Sequence, residues 1–278
     1  MPCFEHQGGE VHFDVRGSGD DLLFMHGLAA DRQQGAQALD DLPGYRLITV
    51  DMPGHGDSKM PDGRAASGQA SFKAYGEVAT ALLAHLGVRK IIAGGISMGA
   101  GIALHLALSS PHLVRALLLV RPAWLDRPGR PHLSIIEDIG SWLSEAGAEY
   151  TAARLKVHPV FEAALAENPA CAASIMGAVE RPQAIKAAAV LGALVADQPF
   201  DRISSLAKCT TPALVIGNNA DPLHPPMIAR ELSGALADAR YFHAPPKYLA
   251  AREHKAAVIK AIEQFLQEQL QPLGERKP

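Results

Sequence analysis

The chain runs to 278 residues, 48% of them hydrophobic and 20% charged, with a formal net charge of -3. This profile belongs to a globular protein of one large domain or two modest ones, and the charge gives no reason to expect a nucleic-acid or membrane-surface partner. The opening M-P-C-F-E-H-Q-G-G-E lacks the regions of a signal peptide, apolar runs such as Ala116 to Val120 are too short for a bilayer, and Cys3, Cys171 and Cys209 form no C-x-x-C pair; a cytoplasmic protein with free thiols is expected.

In chain order, Cys3 to Gln7 and Glu10 to Arg16 read as a hairpin, the second arm alternating as V-H-F-D-V. Leu22 to Met25, Leu47 to Asp51, Ile91 to Gly94 and Ala116 to Val120 are short apolar runs, mostly closed by glycine or proline. Runs apolar on both faces suit parallel strands buried between helix layers. Between them, Gln33 to Asp41, Ala70 to Leu86 and Met98 to Ser109 have helical pattern or composition, while Asp62 to Ser71 reads as a surface loop. Repeated strand–helix units predict an α/β fold with a doubly wound, mostly parallel sheet.

From Pro122 to about Phe200 no β run is found, and alanine-rich helical stretches are separated by prolines at 128, 131, 159, 169, 182 and 199. The alternation resumes with Ala213 to Gly217 as a strand, Met227 to Leu236 as a helix and Arg240 to Ala244 as a strand. A final amphipathic helix, Ala250 to Leu270, carries Val258, Ile262, Phe265 and Gln269 on one stripe. The expected organisation is a core of residues 1–121 and 201–278 interrupted by an all-helical lid, residues 122–200.

Gly95-Ile96-Ser97-Met98-Gly99 matches G-x-S-x-G directly after a strand and at the start of a helix. A sharp turn there forces the serine into a strained backbone conformation, tolerable only among very small neighbours, and exposes its Oγ above the sheet. The Met98 amide would then face an oxyanion. Here the sequence resembles the α/β-hydrolase superfamily, in its serine-nucleophile branch. His26-Gly27-Leu28 is similar to that family's H-G-x turn, Asp51 to Ser58 (D-M-P-G-H-G-D-S) to its D-x-P-G-H-G-x-S stretch, and Gly217 to Pro225 (G-N-N-A-D-P-L-H-P) to its G-x-x-D-P segment. The resemblance implies Asp221 as the triad acid and the Leu28 amide as second oxyanion donor. His26, His55 and Asp57 have a structural reading, and a serine at position 97 argues against the family's aspartate-nucleophile branches.

The spacing of Gly95, Gly99 and Gly101 also fits the cofactor turn of short-chain dehydrogenases, but several β runs precede it and no Y-x-x-x-K follows. The twelve histidines form no close metal-ligand pattern, and no cofactor is expected.

The proton acceptor stays open. The family's usual histidine would fall near Tyr248 or Leu249, where there is none; Lys247 and Tyr248 stand at the expected pocket rim without an assigned role. His254 begins the last helix on its inward stripe. His224 follows Asp221 by three residues, close enough for local geometry to hinder the pair. His243 lies within a strand pattern. The expectation is a serine hydrolase that cleaves a small ester or related acyl compound, a small-molecule substrate, through an acyl-enzyme. Its site would comprise Ser97, Asp221 and either His254 or His224, with the amides of Leu28 and Met98. Trp124, Trp142, Phe161 and Met176 in the lid hint at a modestly apolar substrate. The alternatives are a binding protein that has lost turnover and a cofactor-free, haloperoxidase-like perhydrolase.

Overall fold

A computed structural model describes residues 2–39, 42–60, 70–182 and 184–270. Its strands are β1 (Cys3–His6), β2 (Gly9–Gly17), β3 (Asp20–Met25), β4 (Tyr45–Val50), β5 (Ile91–Ile96), β6 (Val114–Val120), β7 (Ala213–Gly217) and β8 (Ala239–His243). They form one sheet in the order β1-β2-β4-β3-β5-β6-β7-β8. The β1–β2 hairpin and the β2–β4 pair are antiparallel, and every pair from β4 onward is parallel. The order reverses after β4, as expected for a doubly wound sheet.

The apolar runs lack alternation because both sheet faces are covered. Leu23, Met25, Ala93, Leu117, Leu119 and Val215 join one core, and their strand neighbours Leu22, Phe24, Ile92, Leu118 and Leu214 join the other. Helices α2 (Phe72–His85), α3 (Met98–Ser109) and α8 (Pro226–Ala235) pack into the first core. The second is closed by Val258, Ile262 and Phe265 of α9 (Ala251–Leu270). Helix α1 (Arg32–Ala38) starts at the cap Asp31, whose side chain accepts from the Gln33 N–H. It ends before the expected limit, where Asp40 and Asp41 lie outside the described residues. Ser71 caps α2 by accepting from the Ala74 N–H; residues 62–69 of the expected loop are likewise outside the description.

Between β6 and β7 the described residues contain helices and no strand. These are α4 (Ser134–Lys156), kinked at Gly147, then α5 (Pro159–Glu167), α6 (Pro169–Glu180) and α7 (Ala184–Val195). Two of the prolines sit at helix starts, where the missing N–H costs nothing. His158 caps α5 and Asn168 caps α6. The helices share the first core with the sheet, and Trp124 Nε1–H donates to Leu194 O at 2.9 Å to bind the ends of the segment together. Among the described residues no helix is long and apolar enough to cross a membrane.

Candidate active site

Four turns at the carboxyl ends of neighbouring strands hold non-glycine residues at positive φ: Ala29 after β3, Ser97 after β5, Arg121 after β6 and Ala220 after β7. Such conformations cost free energy and persist only where the surroundings over-determine them. Their concentration along one sheet edge marks where the fold stores strain.

Ser97 has φ 56 and ψ -110 at the junction of β5 and α3. Its N–H is held by Val120 O at 3.0 Å, and its carbonyl accepts from Ala100 and Gly101 at 3.1 and 3.2 Å. The flanking glycines have a steric cause. A Cβ on Gly95 would lie 2.6 Å from Met25 O, and one on Gly99 would collide with the same carbonyl. Any side chain there would push α3 off the sheet.

Asp221, buried beyond β7, is gripped at both carboxylate oxygens. His224 Nδ1 lies 2.9 Å from Oδ1, and Arg121 Nη1 lies 2.8 Å from Oδ2. A backbone turn, His224 N–H to Asp221 O at 3.1 Å, folds the imidazole back onto the carboxylate. The carboxylate can only accept, so Nδ1 carries the proton and Nε2 keeps a free lone pair. Burial would raise the Asp221 pKa, but the charges and hydrogen bonds of His224 and Arg121 outweigh it and hold the group well below the usual carboxylate range. Burial also lowers the His224 pKa; Asp221 opposes this, while Arg121 and Lys247 reinforce it. The ring is therefore neutral at neutral pH. Arg121 is the member that sequence reading missed. Its signal was an arginine closing the apolar strand A-L-L-L-V.

His254 stands close to this cluster without joining it, and Arg121, Lys247 and Asp221 act on its ring from a distance. It is buried in the first turn of α9, with Nδ1 2.7 Å from Pro245 O. It is absent from the cavity wall that Ser97 and His224 share. His243 is exposed at the end of β8 and bonds to Tyr241 Oη at 2.8 Å. Leu28 lines the cavity, and Met98, as first residue of α3, has an amide N–H without an intrahelical acceptor. His26 braces the turn: Nδ1–H donates to Gly27 O at 2.8 Å, and Nε2 accepts from the Met52 N–H at 3.1 Å. The Gly27 N–H donates to Gln34 Oε1 at 2.7 Å. In the D-M-P-G-H-G-D-S turn, Asp51 and Asp57 both pair with Arg32, and buried His55 packs against the His26 ring.

The cavity above Ser97 measures about 80 Å³, room for a few waters. Leu133, Ile136, Ile175 and Ala178 from the helical segment close it, facing Ser97, His224, Lys247 and Tyr248. Of the four apolar residues singled out in that segment, Trp124 alone lines it. Phe161 and Met176 are buried in the segment's own packing, and Trp142 meets His158 and Arg154. A larger cleft of about 570 Å³ lies alongside and shares Ala29, Gln34, Ala178 and Arg181 with the inner cavity. Tyr248 Oη–H donates to Ser174 Oγ at 3.0 Å, joining the loop after β8 to α6. Among the described residues no group of three His, Cys, Asp or Glu side chains is placed to hold a metal ion.

This arrangement has relatives. Over 103 residues the chain is 35% identical to the mouse (Mus musculus) sn-1-specific diacylglycerol lipase ABHD11, a match covering 36% of this chain and 31% of that protein. The leading curated matches span only 30% to 41% of those proteins' length. A fuller match, 27% identical, covers 91% of this chain and 96% of the putative non-heme bromoperoxidase BpoC of Mycobacterium tuberculosis. The solved enol-lactonase of Burkholderia xenovorans LB400 superposes with a TM-score of 0.76 at 22% identity, covering 96% of this chain and all of that one, a likeness that speaks for the fold. Residues 22–248 match the family model described as alpha/beta hydrolase fold, and with the sheet order and the Ser97 turn this establishes that the chain belongs to the alpha/beta hydrolase family.

Proposed function

We propose that the protein is a serine hydrolase that cleaves a small ester or related acyl substrate through an acyl-enzyme, with Ser97 as nucleophile, His224 as base and Asp221 as the acid that orients it. The observation that carries this reading is the common cavity: a serine at a strained strand–helix turn shares it with an imidazole whose Nδ1 is held by a buried carboxylate. A serine hydroxyl is a poor nucleophile until an oriented base stands by it.

In the proposed cycle, Ser97 Oγ attacks the acyl carbon as His224 Nε2 takes its proton. The oxyanion is met by the amides of Leu28 and Met98, aided by the amino end of α3. The intermediate collapses, and the leaving alcohol takes the proton from His224. Water then attacks the acyl carbon while His224 takes its proton. Release of the acid returns that proton to Ser97. Asp221 stays ionised and Arg121 fixes its second oxygen. The helices between β6 and β7 act as a lid: the inner cavity holds only a few atoms, so larger substrates require these helices to move.

The test is intact-mass labelling with a fluorophosphonate at neutral pH, using folded wild type, Ser97→Ala, His224→Ala and His254→Ala. Single labelling is expected for the wild type and none for Ser97→Ala. His224→Ala should label at least about a thousandfold more slowly, and His254→Ala within a few-fold of wild type. Equal labelling of His224→Ala and wild type would remove His224 from the mechanism. A folded but unreactive wild type would favour a binding protein. The full-length match to a bromoperoxidase keeps perhydrolysis as a second reading. It would show as acyl transfer to hydrogen peroxide in preference to water.

A further inference from the structure

The polar lining of the inner cavity is unbalanced in charge. Arg121, Arg181 and Lys247 stand on its wall with no aspartate or glutamate among them. Arg121 is neutralised from behind by Asp221, and His224 is neutral. Lys247 has no ion-pair partner: its Nζ lies 4.8 Å from the centroid of the Tyr248 ring, and Asp221 acts on it from a distance. No described carboxylate lies within ion-pair distance of Lys247 or Arg181. Asp31, across the outer cleft, is the acid that acts on Arg181 from a distance. A half-buried ammonium without an ion-pair partner is costly, and an anionic ligand in the cavity would supply the missing charge.

We infer that the substrate carries an anionic group, a carboxylate, which Lys247 binds inside the cavity while Arg181 draws it in from the outer cleft. This deepens the hydrolase reading by giving its substrate class: a half-ester of a short dicarboxylic acid or a comparable carboxylated acyl compound. Lys247 belongs to the segment P-P-K-Y-L after β8, next to Tyr248 and Leu249, where the family resemblance implies a histidine. That position serves substrate charge, and the proton acceptor stands after β7. The small cavity suits a compact, singly charged carboxylate. The titratable and charged groups around Lys247 are Arg121 at the end of β6, Asp221 and His224 after β7, the Cys171 thiol of α6 and His254 of α9. Burial and Arg121 bring the ammonium down to about 8, with Asp221 and Cys171 opposing. Anion recognition is therefore full at neutral pH and fades above about 8.

The test pairs two esters of matched length, monomethyl succinate and methyl butyrate. Their binding to folded Ser97→Ala is measured by calorimetry, which needs no turnover. The charged ester should bind at least about tenfold more tightly, the worth of one modest charge-assisted contact. Lys247→Met should bring the ratio close to one and Lys247→Arg should retain most of it, while Arg181→Met reduces it partially. The same ratio should return in kcat/KM of the wild type and shrink as pH rises past about 8. Equal binding of the two esters, a preference that survives Lys247→Met, or no measurable binding of monomethyl succinate each overturns the inference. Discrimination in binding without turnover of either ester would leave anion recognition standing and sink the hydrolase reading. Turnover of methyl butyrate as good as that of monomethyl succinate would do the reverse.

Discussion

Arg121 lies between the two charged events of the site, since its guanidinium both fixes Asp221 and pushes the His224 pKa down. Replacing it with methionine leaves Asp221 Oδ2 buried without its partner, which costs about 3 kcal/mol of stability in urea unfolding, because one end of a buried pair is removed. The effect on activity has a definite sign. In the proposed cycle His224 is the general base and works only when deprotonated, so the acid limb of the pH–rate profile should follow its pKa, which burial and Arg121 hold below the ordinary value of about 6.5. Without Arg121 the imidazole becomes easier to protonate, and the limb moves to higher pH. A profile of kcat/KM for a short ester, wild type against Arg121→Met, checks this; an unmoved limb would show that the titrating group is not His224. The same residues explain what could be read in advance. Ser97 was legible because the glycines of its motif have a steric reason, and Asp221 was a candidate because the family resemblance implies it. The Asp221–His224 contact was legible only as a spacing that local geometry threatened. The deciding fact is one backbone turn, Asp221 O to His224 N–H, which folds the side chains together. Arg121 was not legible because its partner is a hundred residues distant, across the β6–β7 boundary.

The turn between β5 and α3 depends on how closely α3 approaches β3. Gly99 faces the carbonyls of Met25 and His26, and a Cβ there would stand 2.9 Å from His26 O and closer still to Met25 O. Backbone cannot yield as a flexible side chain can, so Gly99→Ala must displace α3 or the H-G-L turn after β3. Overpacking of this kind costs about 3 kcal/mol, and a shift of either element also separates the Met98 and Leu28 amides. Gly99→Ala should therefore lower the urea midpoint and slow fluorophosphonate labelling even below that midpoint. Normal labelling in a destabilised variant would show that the displacement spares the oxyanion amides. The strands themselves were legible to within a few residues, because runs apolar on both faces leave few alternatives to a buried parallel sheet. The helices between β6 and β7 were legible as helices from alanine content and from prolines that now stand at their starts. Which of their side chains face the cavity was not, since Trp142, Phe161 and Met176 pack away from it for reasons set by the neighbouring helices.

Taken whole, the molecule buries many of its histidines, and this determines how it responds to acid. Burial lowers the pKa of His26, His55, His132, His224 and His254, and in each it is the largest cause. In the unfolded chain these rings titrate near 6.5. Below that value the unfolded state binds protons that the folded state does not, so stability is complete above about pH 6.5 and is lost as pH falls. The slope is at most about 1.4 kcal/mol per pH unit for each ring. Asp221 acts in a lower window. Its folded pKa is depressed, so the stability it contributes is present above about pH 4, the unfolded carboxylate value, and is lost only below it. Tm measured from pH 8 to pH 4 should thus stay level to about pH 6.5 and then fall steadily, well before carboxylates titrate. A level Tm down to about pH 5 would mean that the buried rings accept protons without disturbing the fold. The acid limb expected of the proposed activity also falls below about pH 6.5. If His224 protonation causes it, activity must fall reversibly at temperatures where Tm shows every molecule still folded.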